Sequence, residues 1–285
     1  MHTDTVFERH RPRLFSLAYR LLGARGDAED VVQDAWLRWH GSDQAVIADP
    51  EAWLVTTTTR LGLDRLRAAR SARRHYVGPW LPEPLRISEE PSPEQQREQA
   101  EQVSIALLAV LERLGPEERA AFLLKEAFDY DYAHIGRLLG HSEANCRQLV
   151  HRARLRLQAE RPRFEVPQAQ HRALLERFMV ASQAGDSAAI TALLDQNARM
   201  LSDGGGKVTA ALRPLLGAER IGRLYAAVAR RGLGLVSRMG WVNGEPAVLR
   251  FHPDGQLHSA TLAVVDGERI VELLTLMNPD KLGNH

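Results

Sequence analysis

Apolar side chains in the first quarter of the chain follow a helical spacing. From Val6 to Arg74 they recur every three to four residues, as on one face of an α-helix. The main interruptions are Gly23, Gly26 and Pro50, and glycine and proline often end helices. The pattern predicts an all-helical module, residues 1–75, with helices at about 6–22, 27–40 and 50–73.

The next segment is rich in proline. Residues 76–97 read YVGPWLPEPLRISEEPSPEQQR and contain five prolines among few apolar residues. Because proline lacks the backbone N–H that helices and sheets use, this composition predicts a linker without either. Helical spacing resumes and predicts a second helical module at 98–162, with breaks at Gly115-Pro116 and Gly140.

The pattern changes after residue 168. Helices are predicted at about 168–184, 186–195 and 217–231. Short alternating stretches, AVLRFH, HSATLAVV and RIVELLTLM, are separated by turn residues such as Asn243-Gly244 and Asp266-Gly267. Helices followed by hairpin-linked strands indicate an α+β domain with an antiparallel sheet at 168–285.

Charge is segregated along the chain although the net charge is only +1. Residues 60–74 hold six arginines against one acid, and residues 141–163 hold six against two. Between these blocks, residues 87–118 hold eight glutamates and two arginines. Two basic blocks separated by an acidic spacer indicate two contacts with one polyanion, although each block alone is also typical of a solvated helix face.

Composition excludes several classes of protein. No apolar stretch approaches the roughly 18 residues of a membrane span, and the N-terminus MHTDTVFERHRPR lacks an apolar signal core, so we expect a cytoplasmic protein without a membrane partner. The single cysteine, Cys146, excludes an internal disulfide and a cysteine-rich metal site. It falls on an apolar helical position and is predicted to pack in a core. We expect no metal and no cofactor.

The stretch DAEDVVQDAWLRW, residues 27–39, predicts a helix with two different faces. Its apolar residues share one face, and the opposite face carries Asp30, Gln33, Asp34 and Leu37. A leucine surrounded by carboxylates and an amide fits a surface that binds a basic protein. A solvated helix with one stray leucine is the alternative.

The helix predicted at 50–73 is basic along its second half. Its threonine run disfavours a helix in isolation, so tertiary packing must override propensity. Its arginines can bind phosphates, and Thr57, Thr58 and Arg60 can donate to bases or sugars.

Residues 116–157 have the layout of a helix-turn-helix. A short helix from Tyr132 to Leu139 breaks at Gly140, and Ser142 is suited to cap the next helix. The outer face of that helix suits the donors and acceptors of base edges in a major groove. The predicted DNA contacts on it are Ser142, Glu143, Asn145, Arg147, Gln148, His151, Arg152 and Arg154.

The helix DAEDVVQDAWLRW, the AWL...R...D.LR..R segment after it and the helix-turn-helix about seventy residues later closely resemble regions two and four of extracytoplasmic-function sigma factors. The resemblance covers about residues 5–160. It implies that Asp30, Gln33, Asp34 and Leu37 dock on the clamp helices of core RNA polymerase, and that the helix from Ser142 reads the −35 element of promoter DNA. The −10 element is assigned to Thr57, Thr58, Arg60, Asp64, Arg65, Arg67 and Arg70. Arg60 stands where the family often has asparagine, which leaves the −10 preference open.

Residues 168–285 resemble a SnoaL-like domain of the NTF2-like superfamily, a cone in which a curved antiparallel sheet wraps over helices and forms a pocket. Three motifs, WLPEPL, DGGGK and NPDKL, resemble those of sigma factors whose fused C-terminal domain acts in place of a separate anti-sigma protein. The resemblance implies regulatory contacts between domains, at Trp80, Leu81, Pro82, Glu83, Pro84, Asp203, Gly204, Gly205, Gly206, Lys207, Asn278, Pro279, Asp280, Lys281 and Leu282. A small-molecule ligand in the pocket would shift the balance between closed and polymerase-competent forms.

Two other functions fit parts of the sequence. One is a ligand-responsive DNA-binding regulator that never engages polymerase, which would have no need of the acidic helix with Leu37. The other is an NTF2-like enzyme with a DNA-binding appendage. Its acid and base candidates, such as His252, His258, Asp195 and Tyr225, have no paired spacing that indicates catalysis, so we expect no enzymatic activity.

The stretch LSDGGGKVT, residues 201–209, has the composition of a phosphate-binding loop but not its spacing. A P-loop needs a glycine five positions before Gly206 and Ser or Thr after the lysine. The chain has Leu201 and Val208 there, and the flanking ARMLS and VTAAL suit strands. The glycines are predicted to form a turn with positive φ, whose Asp203 and Lys207 are available to the linker or the helical modules.

Overall fold

The computed structural model describes residues 3–90, 103–158 and 166–283. It divides into two units, the first formed by Met1–Arg74 and Val110–Ala159 and the second by His75–Ala109 and Glu160–His285. The parts of the predicted linker and second module that fall in 91–102 and 159–162 lie outside the described residues. No described helix is long and apolar enough to cross a membrane.

The first unit is helical. Its helices are α1 (Thr3–Leu22), α2 (Arg25–His40), α3 (Pro50–Arg73), α5 (Pro116–Glu126), α6 (Tyr132–Leu139) and α7 (Glu143–Gln158), and α4 (Ile105–Leu111) crosses the division between the units. Pro50 begins α3 rather than breaking it, because its missing N–H falls where a helix needs none. The Asp49 side chain caps that end by accepting from the Ala52 N–H at 3.0 Å. The three helices predicted in residues 1–75 are confirmed.

The second unit combines helices and a seven-stranded sheet. Its strands are β1 (Ile87–Ser88), β2 (Leu194–Asp203), β3 (Leu215–Leu216), β4 (Val236–Val242), β5 (Glu245–Phe251), β6 (Leu257–Asp266) and β7 (Arg269–Leu276). Its other helices are α8 (Gln168–Ala184), α9 (Ser187–Leu193), α10 (Ala218–Arg230) and α11 (Pro279–Leu282). The α+β class predicted for this part of the chain is confirmed.

The strands lie in the order β1-β4-β5-β6-β7-β2-β3. Neighbouring strands are antiparallel except β2 and β7, which run parallel. Helices pack on one face of this sheet, where Phe178 and Ile221 join a core with Met200, Val248 and Leu273. The turn between β4 and β5 is the predicted Asn-Gly turn, with positive φ at both Asn243 and Gly244.

Two local predictions are wrong. The proline-rich segment was expected to hold neither helix nor strand, yet Ile87 and Ser88 pair with Val242 and Trp241 as an edge strand. This strand falls between the prolines, where backbone N–H groups remain available. The VTAAL stretch is not a strand. The chain turns back before it, with the Lys207 N–H donating to the Gly204 carbonyl at 3.0 Å.

Candidate functional site

The two faces of α2 lie as the sequence predicts. Its apolar side is buried through Ala28, Val31, Val32, Ala35 and Trp39. On the opposite face Asp30, Gln33 and Asp34 are exposed, and Leu37 is 55% exposed. An exposed leucine among polar side chains is suited to contact with another protein.

Arg65 joins α2 and α3. Its Nε lies 2.9 Å from Asp27 Oδ1, and its other guanidinium nitrogen pairs with Asp30. Asp30 and Arg65 were predicted on separate surfaces, one for polymerase and one for DNA, but they contact each other. Asp34 makes no ion pair within the described part of the chain, so its charge is the more available one on this face.

The threonine run of α3 is buried rather than accessible. Thr58 is fully buried and Thr57 is 9% exposed, because this side of α3 packs inside the helical unit. Their donation to bases or sugars stays a prediction, and it would require this side of α3 to become exposed. Arg60, one residue past the run, is exposed and makes no hydrogen bond or ion pair with residues 3–90, 103–158 or 166–283.

Two arginines farther along α3 contact the second helical segment. Arg67 lies 3.1 Å from Asp64 on its own helix and 3.1 Å from Glu117 of α5. Arg70 donates to the Leu114 carbonyl at 3.2 Å. The predicted −10 surface is thus partly engaged with residues 114–117, and Arg60 is its open part.

A buried ionic network lies beside this contact. Arg119 is 1% exposed and pairs with Glu112, which also pairs with Arg73. The Arg119 Nε also donates to the Arg20 carbonyl at 2.9 Å. Burial lowers the pKa of Arg119, and the Glu112 carboxylate opposes this shift. The network holds α1, α3 and α5 together within the first unit.

The helix-turn-helix is formed by α6 and α7. Gly140 ends α6 with φ +72, and the Ser142 hydroxyl accepts from the Asn145 N–H at 3.2 Å. A Cβ at Gly136 would lie 2.6 Å from the His141 carbonyl oxygen, so the turn requires glycine there. Cys146 is fully buried, as predicted.

The outer face of α7 is polar, but its side chains are not equally available. Arg147 pairs with Glu143 at 2.8 Å on the same helix. Arg154 lies 2.6 Å from Glu126, and Arg152 lies 3.7 Å from Glu118. Gln148 and His151 are exposed, and their side chains have no partner among the described residues. Together with Asn145 they are the open part of the predicted −35 surface.

In the second unit, the three sequence motifs WLPEPL, DGGGK and NPDKL come together in what we call the motif cluster. Its centre is Asp203, which is fully buried. The Asp203 carboxylate accepts from the Leu81 N–H at 2.8 Å and from Lys281 Nζ at 2.6 Å. Lys281 Nζ also donates to the Leu81 carbonyl at 2.5 Å and lies 4.3 Å from the centre of the Trp80 ring.

Tyr76 is a member of the motif cluster that the sequence did not indicate. Its hydroxyl donates to Asp203 at 2.5 Å and accepts from Asn278 Nδ2 at 3.0 Å. Burial, followed by the hydrogen bond to Asp203, raises the pKa of Tyr76. The only sequence signal was its position four residues before the WLPEPL motif.

The glycines of DGGGK allow close approach. Gly205 has φ +60, and a Cβ there would lie 2.4 Å from Asn278 Nδ2. Gly206 has φ +72 and faces Val77. Lys207 pairs with Asp280 at 2.6 Å, and both side chains are about half exposed. The turn prediction is confirmed, and the motif packs against the linker.

The linker has a second point of attachment in the second unit, at the tip of the β4–β5 hairpin. Asn243 Oδ1 accepts from the backbone N–H of Leu85 at 2.8 Å, and its Nδ2 donates to the Val103 carbonyl at 3.1 Å. Sequence reasoning assigned Asn243 only to a turn.

Next to Asn243, Glu245 accepts hydrogen bonds from the Ser104 side chain and from the backbone N–H groups of Ile105 and Ala106, at the start of α4. Burial raises the pKa of Glu245 to about 7, although these hydrogen bonds oppose the shift. Sequence reasoning did not single out this residue.

Family models match two parts of the chain: Sigma-70 region 2 at residues 6–72 and Sigma-70, region 4 at residues 104–157. The ECF RNA polymerase sigma factor SigJ of Mycobacterium tuberculosis H37Rv is 39% identical over 96% of this chain and 91% of its own. The probable sigma factor SigI of the same strain is 32% identical over 98% and 94%. The crystal structure of Mycobacterium tuberculosis SigJ matches with a TM-score of 0.75 and 32% identity over 98% of both chains.

Proposed function

Because this chain belongs to the family of extracytoplasmic-function RNA polymerase sigma factors, we propose that it binds core RNA polymerase and directs it to promoters with −10 and −35 elements. The observation that carries the proposal is the similarity to such sigma factors through both helical segments and the C-terminal unit. The proposal places its activity in the cytoplasm, with RNA polymerase. It includes no catalysis by either unit.

The core-binding surface in this proposal is the outer face of α2. Leu37 supplies an exposed apolar side chain, and Asp34 supplies a carboxylate that is not neutralised within the described residues. Asp30 contributes less directly, since Arg65 already pairs with it. A basic groove on the polymerase with an apolar centre would complement this face.

Promoter DNA would contact two helices. In α3, Arg60 is open, whereas Arg67 and Arg70 must leave Glu117 and the Leu114 carbonyl before they can bind phosphates. In α7, Gln148 and His151 are the exposed side chains that can meet base edges. Engagement of −10 DNA would therefore compete with the contacts between α3 and residues 114–117.

We further propose that the C-terminal unit modulates activity through the linker. Two attachments support this role: the motif cluster around Asp203 and the pairing of β1 with β4. Both attachments hold residues of the segment that connects the Sigma-70 region 2 match to the region 4 match. A change in either attachment would alter how freely the helical segments reach their sites on polymerase and promoter.

The test is reconstitution with purified core RNA polymerase. We expect the parent chain to co-elute with core enzyme and to initiate run-off transcripts from a subset of a genomic promoter pool. The double variant Asp34→Arg, Leu37→Ser should lose at least about tenfold in affinity for core enzyme, because it reverses the open charge and removes the apolar contact.

The control is Glu8→Arg, an equal charge reversal at an exposed position of α1. It should bind core enzyme like the parent chain. Unchanged co-elution of the α2 double variant would contradict the assigned surface, and no specific initiation by the parent chain from any promoter would contradict the function itself.

A further inference from the structure

An arginine lies on the helix-facing side of the sheet in the second unit. Val248 of β5 is part of the core beneath the helices, and side chains two residues apart on a strand share a face. Arg250 therefore points to the same side, which its contacts confirm. It donates to the Ser182 hydroxyl of α8 at 3.1 Å, and its guanidinium lies 5.0 Å from the centre of the Tyr225 ring of α10.

The charge of Arg250 is not neutralised. Two other arginines of the sheet have carboxylate partners: Arg199 of β2 lies 2.6 Å from Glu272, and Arg238 of β4 lies 2.8 Å from Glu89. Arg250 has no carboxylate partner within the ranges that the structure describes. A half-buried guanidinium held by a hydroxyl and an aromatic ring retains donors that can bind an anion.

A cavity of about 300 Å³ opens at this position. Its polar wall is formed by Arg250, Ser182, Gln183 and Ser237. Its other wall is apolar and includes Val228, Leu233 and Leu235. The volume is at the lower end of the range for small-molecule sites, and such sites commonly combine apolar walls with a few convergent polar groups.

The apolar wall includes a glycine-rich turn between α10 and β4. Gly232 and Gly234 adopt φ values of +61 and +65, and Leu233 between them is 54% exposed. The turn thus places a large apolar side chain at the mouth of a cavity that contains a cation. Exposure of the Leu233 side chain to water does not stabilise the protein, whereas the apolar part of a ligand would remove that side chain from water.

Among the described residues that line the cavity, Arg250 is the one cation. Burial lowers the pKa of nearby His258, and the charges of His252 and Arg250 add to the shift. His258 therefore does not add a second positive charge at neutral pH. A single guanidinium beside the Ser237 hydroxyl matches a singly charged carboxylate better than a doubly charged phosphate.

We propose that this cavity binds a small organic monocarboxylate with an apolar body. The carboxylate accepts from the Arg250 guanidinium and the Ser237 hydroxyl, and the apolar body contacts Leu233, Leu235 and Val228. The site goes beyond promoter recognition by a sigma factor, and its existence does not depend on that role, because it lies within the second unit. Binding is therefore measured on the full chain without polymerase.

The experiment uses a panel of probes: hexanoate, 4-fluorobenzoate, the corresponding neutral amides and inorganic phosphate. Calorimetry and the ¹⁹F line width of 4-fluorobenzoate report binding. We expect at least one carboxylate to bind, with its amide and phosphate weaker by about tenfold or more, since a charge-assisted contact to arginine is lost. Arg250→Gln should weaken the carboxylate by a similar factor, and Arg238→Gln, which alters an arginine outside the cavity lining, should not.

A second variant keeps the proposal testable if Arg250→Gln fails to fold. Leu233→Glu changes an exposed turn residue and should weaken the carboxylate about tenfold by charge repulsion, with a smaller effect on the amide. Three results would overturn the proposal: no carboxylate of the panel binds, binding is unaffected by both variants, or phosphate binds as tightly as the carboxylates.

Discussion

At the scale of single residues, the ion pair of Asp203 and Lys281 is the most sensitive point of the motif cluster. Replacement of Asp203 by Asn leaves the Lys281 ammonium buried without its counter-charge. Removal of one partner of a buried pair typically costs about 3–5 kcal/mol. We expect Asp203→Asn to lower the free energy of unfolding of the second unit by that amount, measured by chemical denaturation.

The matched control is Asp280→Asn, which breaks the pair with Lys207 in the same cluster. Both of its side chains are more than half exposed, so the loss should stay below about 1 kcal/mol. Equal effects of the two substitutions would contradict a central role for Asp203. The double variant Asp203→Asn, Lys281→Met should recover part of the loss, since it removes the unpaired charge as well.

Residue-level predictions succeeded where periodicity alone decides the environment. Leu37 and Cys146 lie on the exposed and buried faces that helical spacing gives them. They did not anticipate the environment of a residue where a second element decides it. Thr58 is polar and suited to a DNA contact, but α3 buries it against other helices. Arg65 and Asp30 were predicted on separate surfaces because sequence spacing does not reveal a contact between two helices.

At the scale of elements, Glu245 of β5 caps the start of α4, and its protonation should affect stability. Its folded pKa of about 7 exceeds that of a free glutamate. The folded state favours the protonated carboxyl of Glu245. Its contribution to the free energy of unfolding is therefore fully present below the pKa that Glu245 has in the unfolded chain, and it is lost as pH rises through 7. We expect Glu245→Gln, which stays neutral, to raise the free energy of unfolding at pH 8 by about 2–3 kcal/mol and to change it little at pH 4.5.

Chemical denaturation of both chains across this pH range provides the measurement. His171 lines the same cavity as Glu245, but both chains contain it, so its titration cancels in the difference. A gain that is the same at every pH would show that the substitution acts through packing rather than through ionisation. A loss at pH 8 would contradict the raised pKa.

Element-level predictions were accurate for long periodic segments and failed for a short strand. The helices of residues 1–75 and the hairpin β4–β5 follow from spacing and from the Asn-Gly turn. Strand β1 has only two residues, and its partner β4 is distant in sequence. Nothing local to Ile87 and Ser88 specifies a strand, because the pairing groups are supplied by the exposed edge of the sheet.

At the scale of the whole molecule, the linker is part of the second unit, because its contacts are with residues of that unit. Leu81 is 1% exposed, and Pro82 and Pro84 are buried there. A chain that ends at residue 166 would lose Asp203, β4 and Lys281. We expect chymotrypsin to cleave such a chain within residues 76–90 at least about tenfold faster than the full chain, since protection comes from those contacts.

Cleavage sites in α1 to α3 serve as the internal control, because their rates should not change. Equal cleavage of residues 76–90 in both chains would contradict the attachment of the linker. The same truncation should change run-off output with core polymerase, and unchanged output would contradict the regulatory role of the C-terminal unit.

The arrangement of the whole molecule was only partly predictable. The order of helical segments and the α+β domain follow from pattern and from the family resemblance. The assignment of residues 75–109 to the second unit rests on long-range contacts, such as that of Tyr76 with Asp203 and that of Leu85 with Asn243. These contacts depend on burial and hydrogen bonding between distant segments, which composition and periodicity do not encode.

The pairing of Leu85 with Asn243 has a consequence during synthesis. The two residues are 158 positions apart, so the ribosome needs roughly 8–30 s after making Leu85 before Asn243 exists. The region 2 match, residues 6–72, is made before this interval, and the region 4 match, residues 104–157, is made within it. Asp203, the partner of Tyr76 and Leu81, is also made before Asn243. The two attachments of the linker therefore become available in sequence, with the one at the β4–β5 hairpin later than the contacts to Asp203.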